Sequence, residues 1–223
     1  MLLAEDLLLL VTDDASGRLC APGTQVDIVL GGANLVELTL LGKVGLSGDR
    51  DAGKPGRIVV RDPSPAGDEV LDAALAIIAA RQGSKPSAVI RGLHKNLRPT
   101  LYGRLAAQGV IRAERRTILG VFPVRRWLAQ DASHKAELRL LITGALAQQA
   151  TPDARTAAVI ALVHALRCEH KIVDPRRYGL TRRQLRARAE EIAKGDWAPE
   201  AVHEVISGVI AAVAAARAAA ASG

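Results

Sequence analysis

The sequence predicts a mainly α-helical protein, a helical bundle carrying one protruding β-hairpin. Three observations lead there. Apolar residues recur at intervals of three and four in most segments, as in Val26, Val29, Leu30, Ala33, Val36 and Leu40, which is the helical period. In one place only, VIRAERRTILGVFPV, do β-branched residues lie on both sides of a charged turn, the pattern of a hairpin. From Ser133 to the end, helix signals follow one another without strand alternation.

Taken in order, residues 2–11 form a short apolar helix, residues 25–41 a second, and residues 68–81 a third on the repeat Leu71, Leu75, Ile78. Between the last two lies a long Gly-, Pro- and Asp-rich loop whose only short strand is 57–61. Residues 83–86 break the chain, and 87–94 form a further short helix. Pro99 opens the next, 99–108, in the first turn where its missing N–H costs nothing, and Gly109 stops it. The hairpin strands fall at 110–113 and 117–122, with Glu114 to Arg116 turning between them and Pro123 ending the second. A helix over 134–149 follows. Thr151-Pro152-Asp153 opens one that runs to Arg167, and Thr181 with Gln184 forms a capping box for one that runs to Lys194. Pro199 opens the last, with Val202, Val205, Ile206, Val209, Ile210 and Val213 on one stripe; residues 214–221 extend it or fray.

A length of 223 residues allows one large domain or two small ones, and 49% hydrophobic against 24% charged residues lies outside the disordered range. No apolar run approaches the ~18 residues that span a bilayer, so a transmembrane protein is not expected. The opening MLLAEDLLLLVTDD carries acidic residues where a signal peptide needs basic ones. Two cysteines far apart, Cys20 and Cys168, read as reduced thiols in a cytoplasmic protein, with no disulfide scaffold.

The net charge of +7 is unevenly spread. Residues 1–80 carry six basic and twelve acidic side chains, whereas residues 81–130 carry eleven basic and one acidic, Glu114. Such a density of positive charge attracts an anionic partner, be it lipid headgroup, nucleic acid or acidic protein tail. Part of it also neutralises the acidic first third of the same fold.

Catalytic and metal signatures are missing. No histidine pair has ligand spacing, and His164 and His170 fall on either side of a helix end. There is no phosphate-cradling loop, dinucleotide fingerprint or nucleophile elbow. Cys168 near His170 reads as structural, and Gly31-Gly32 as a close helix-packing point. The sequence therefore argues for neither an enzyme nor a cofactor or metal site. Of the five aromatic residues, Phe122 and Trp127 fall at the far end of the hairpin beside Arg125 and Arg126, placed for docking on a partner or a membrane interface.

Five passages in order resemble the Golgi phosphoprotein 3 family, which includes bacterial as well as eukaryotic members, and the chain resembles a bacterial-type one. They are AEDLLLLVTDDASGRL, ANLVELTLLGKV, PAGDEVLDAAL, LYGRLAAQGVI leading into RRTILGVFPV, and TPDARTAAVIALVHAL. The resemblance implies a single domain over 1–223 with a hairpin at about 110–123. It implies a cytoplasmic, peripherally membrane-associated lipid-binding adaptor that binds phosphatidylinositol 4-phosphate on an anionic membrane surface. It further implies protein clients and homo-oligomers formed through the hairpin. Carried over by position, the family's two basic residues before the 99–108 helix fall on Lys95 and Arg98, with Arg91 in support. The family's other Arg and its Trp fall on Gly31 and Pro22, which removes a bidentate phosphate donor and an apolar wall. Hairpin residues Arg115, Arg116, Phe122 and Trp127 are the self-association or membrane-contact set.

A second reading treats LRPTLYGRLAAQGVI and the basic strands after it as a winged-helix segment binding nucleic acid. Arg115 and Arg116 would then form the wing tip, and Arg98 or Arg104 would touch phosphates. The exposed face of that helix offers little else to read bases, so nucleic acid is the less favoured partner.

Overall fold

Helix α1 (Leu3–Val11) is buried along its whole length, its two acidic residues included. That is possible because every buried carboxylate around it is bonded. Glu5 accepts from the Leu2 N–H at 2.8 Å and from Arg104 Nε at 2.9 Å. Asp6 meets His134 Nε2 and Arg155 Nη2, each at 2.7 Å, and Glu37 accepts from the Leu3 N–H at 2.8 Å. Much of the acidic surplus of the first 80 residues is thus spent inside the fold, on bases supplied from later in the chain.

The computed structural model describes residues 1–48, 51, 54–118 and 122–221. It is mainly helical, as the periodicity predicts. Around α1 and the long α2 (Gly23–Leu40) pack α3 (Glu69–Ala79), α4 (Pro86–Leu93), α5 (Leu97–Ala107), α6 (Ser133–Ala147), α7 (Ala154–Leu166) and α10 (Glu200–Ala221), while α9 (Arg182–Lys194) packs on α6 and α7. Their buried faces merge into one hydrophobic core. The caps follow the sequence signals: Asp153 accepts from the Thr156 N–H, Thr181 and Gln184 close their reciprocal box, and Gly109 ends the α5 turn at φ +74°. Gly32 lets α10 approach α2, since a Cβ there would run into the Val209 side chain, so the diglycine is a packing point.

Four expectations are corrected. Residues 57–61 do contain a strand, β2 (Ile58–Val60), but it pairs with an unforeseen β1 (Val44–Leu46). Three residues are too few for alternation to register.

The hairpin is longer than predicted and turns later, with β3 (Ile111–Ile118) antiparallel to β4 (Phe122–Ala129). Arg115 and Arg116 are mid-strand and not in a turn, and Pro123 lies within β4 opposite Thr117. A two-stranded ribbon consists of edge strands, where a missing N–H is tolerated. Trp127 is not at the far end: it pairs with Ala113 near the base and stacks on Tyr102, centroids 5.0 Å apart. The side chains of residues 115–125, Phe122 included, lie outside the described part of the structure.

Cys20 and Cys168 are joined in a disulfide, which overturns the reading of two separate reduced thiols. Closeness across 148 residues of chain has no local sequence signal. Next to Cys168, a short α8 (Glu169–Ile172) and a 3₁₀ turn (Pro175–Tyr178) fill the stretch between α7 and α9.

Finally, α10 has the length and apolarity to cross a bilayer, although no unbroken apolar run within it announces this. Its stripe Val202, Val205, Ile206, Val209 and Val213 is nevertheless buried in the core, whereas Ile210, expected on the same stripe, is exposed beside it.

Candidate functional site

The basic residues singled out by the sequence converge on the corner between α4 and α5. Helix α4 buries Val89, Ile90 and Leu93 and ends at His94; Asn96, at φ +57°, turns the chain into α5. This corner sits directly on α2. A Cβ at Gly31 would lie 3.2 Å from the Ile90 carbonyl and 3.3 Å from the His94 nitrogen, so no longer side chain fits there without moving α4. An arginine at the position where the resemblance places one would have to push α4 outward by a few tenths of an ångström.

Arg98 turns inward. Its guanidinium lies over Gly23, where a Cβ would approach Nη1 to 2.9 Å, and meets Asp27, with Nε 3.0 Å from Oδ1. Burial pushes the Asp27 carboxyl above its ordinary value, while Arg98 and His94 pull it the other way. Arg104 is held more firmly still, by Glu5 at 2.9 Å and by both oxygens of Asp68 at 3.0 and 2.6 Å. Burial opposes ionisation of Asp68, but Arg104 and the Val70 N–H outweigh it and hold its pKa low. The same carboxylate caps α3, so one side chain starts a helix and fixes α5 beside it.

Arg91 and Lys95 face outward. Among the described residues neither forms an ion pair. Arg81, not singled out in the sequence, joins them: its guanidinium lies over Gly92, in space that a Cβ would fill. Lys95 also borders a cavity of about 350 Å³ between α3 and α5. Its walls include Ala73, Ile77 and Leu97, and its polar edge includes Thr100 and the buried Asn34, whose Oδ1 has no hydrogen-bond partner among the described residues. The corner therefore presents three outward cations, of which Lys95 borders a partly apolar recess that is also lined by the acidic Glu69; an anionic headgroup would meet the cations while an apolar attachment entered the recess.

A family model described as Golgi phosphoprotein 3 (GPP34) matches residues 3–209. The chain belongs to the Golgi phosphoprotein 3 family. No curated protein matches it. In this family member, Lys95 and Arg98 are three residues apart but do different things: Lys95 is exposed at the recess, and Arg98 is committed to Asp27. Among the described residues no group of acidic, His or Cys side chains is arranged to hold a metal ion.

A second basic surface escaped the sequence reading. Residues 167–188 carry eight Lys and Arg against two acidic residues, a surplus diluted when the whole C-terminal third is counted together. Its field is felt within the fold. Burial lowers the pKa of His170, and Arg182 and Lys171 lower it further. Arg217 is lowered by burial together with Arg167 and Arg186.

Proposed function

We propose that this chain is a non-enzymatic peripheral membrane protein that attaches reversibly to anionic phospholipid through the α4–α5 corner. The observation that carries the reading is the outward set Arg81, Arg91 and Lys95 around α4, with Lys95 on the 350 Å³ recess, in a chain of the Golgi phosphoprotein 3 family. Each base close to an anionic surface contributes about 1 kcal/mol, so three give reversible and salt-sensitive attachment. Phosphatidylinositol 4-phosphate is the headgroup the family suggests. Gly31 under the corner, Pro22 and the Arg98–Asp27 pair argue for weak discrimination between it and other lipids of equal charge.

An adaptor role, with protein clients and self-association through the β3–β4 hairpin, belongs to the same proposal. Stacking of Trp127 on Tyr102 supports it by fixing the base of the hairpin to α5. Cytoplasmic placement now rests on the family, since the paired cysteines remove the argument from free thiols. The nucleic-acid reading loses its phosphate contacts, because Arg98 and Arg104 are engaged by Asp27, Glu5 and Asp68.

The test is co-sedimentation with vesicles containing phosphatidylinositol 4-phosphate, phosphatidylinositol or phosphatidylglycerol, using the wild type and the Arg91→Ala, Lys95→Ala double variant. The proposal expects binding to every anionic vesicle, fading with salt and weakened in the double variant. Equal binding by wild type and variant would move the site elsewhere.

A further inference from the structure

A second cleft, of about 390 Å³, opens between the loop after α1, α6 and α8. It shares no lining residue with the Lys95 recess. Three cations from three separate parts of the chain line it: Arg18 from the loop after α1, Arg139 from α6 and Lys171 from α8. Against them stands one carboxylate, Asp13, and its Oδ1 is occupied by the Ser16 N–H at 2.8 Å and the Ser16 hydroxyl at 2.6 Å.

The cations are poorly neutralised. Among the described residues Arg18 and Lys171 form no ion pair. Arg139 reaches Asp14 only at 3.4 Å, because Lys135 already holds that carboxylate, and its Nε–H is buried without a partner among the described residues. A buried donor is satisfied only by an acceptor brought within reach of it. The rims are fixed in place. Cys20, in the cleft wall two residues after Arg18, is tied to Cys168, three residues before Lys171, so the disulfide sets the separation of the two outer cations.

We infer that the cleft between Arg18, Arg139 and Lys171 binds a phosphate monoester. A dianion with three terminal oxygens matches three cations lining one cleft, and charge-assisted bonds to Arg are the strong kind. The volume falls in the ~300–1,000 Å³ range of small-molecule sites and leaves room for a short organic group behind the phosphate. Both a soluble phosphorylated metabolite and the headgroup of phosphatidic acid, itself a phosphate monoester, present this chemistry.

The experiment follows the Arg139 Nε–H resonance in ¹⁵N-correlated spectra of the full chain, assigned by its loss in Arg139→Lys. The chain is titrated with glycerol 3-phosphate and, separately, with phosphatidylcholine vesicles with and without phosphatidic acid. The expected result is a saturable shift that chloride does not reproduce, with affinity about tenfold weaker in the Arg18→Gln, Lys171→Gln double variant. Both replaced side chains are exposed, and an unchanged melting temperature verifies the fold. Saturation by glycerol 3-phosphate supports a soluble ligand, and a response confined to phosphatidic acid vesicles supports a headgroup. No response to either probe, or the same response in the double variant, overturns the site.

Discussion

The Arg98 guanidinium meets the Asp27 carboxylate with Nε 3.0 Å from Oδ1, across the backbone of Gly23. A base that family position assigns to a lipid phosphate is therefore balanced by an acid of its own chain. Removing that acid releases the base. Asp27→Asn is expected to strengthen binding to vesicles containing phosphatidylinositol 4-phosphate about fivefold, and adding Arg98→Ala should abolish the gain. Vesicle co-sedimentation measures both; no gain in the single variant would mean that Arg98 takes no part in headgroup contact.

Arg104 joins α5 to α1 and α3 through Glu5 and Asp68. Arg104→Met leaves the fully buried Glu5 without its cation and should cost about 3 kcal/mol in urea unfolding.

The same network sets a pH dependence. Asp68 has a folded pKa below the ordinary 3.8, so its contribution is complete above that value and is lost as the pH falls through the folded pKa. The stability gap between wild type and Asp68→Asn should accordingly narrow below about pH 3.8 in urea unfolding at stepped pH. A gap that stays constant would show that Asp68 acts through packing alone.

Gly32 faces Val209 where α2 and α10 cross. Gly32→Ala should destabilise by about 1–3 kcal/mol through overpacking, and Val209→Ala in the same chain should recover part of the loss. Thermal melts of the two single variants and the double variant give the coupling directly.

The Cys20–Cys168 bridge closes a long stretch of chain. Reduction, or Cys20→Ser, should lower stability by about 2–5 kcal/mol, chiefly through the unfolded chain. Equal melting temperatures with and without reductant would show that the bridge adds no stability.

Local physics made most of the fold legible. The 3.6-residue stripes on α2, α3 and α10, the Asp153 cap and the Thr181–Gln184 box each lie within one helix, and the structure has them where the sequence signals fall. The misses are non-local or short. Pro123 signals a strand end because its lost N–H matters in a wide sheet, whereas a two-stranded ribbon tolerates it. The β1–β2 pair was too short to show a period. At the site, residue type and position revealed Arg91, Lys95 and Arg98 as a basic group. The partners that turn Arg98 and Arg104 inward lie 71 and 99 residues away, and no local pattern announces them.

The most direct measurement is co-sedimentation of the wild type and the Arg91→Ala, Lys95→Ala variant with phosphatidylglycerol vesicles and with neutral phosphatidylcholine vesicles. The wild type should sediment with the anionic vesicles only, and losing two bases should weaken this about 30-fold. Wild type that stays in the supernatant with anionic vesicles, or a variant that binds them as well as wild type, would contradict the claim that the α4–α5 corner is the membrane-binding surface.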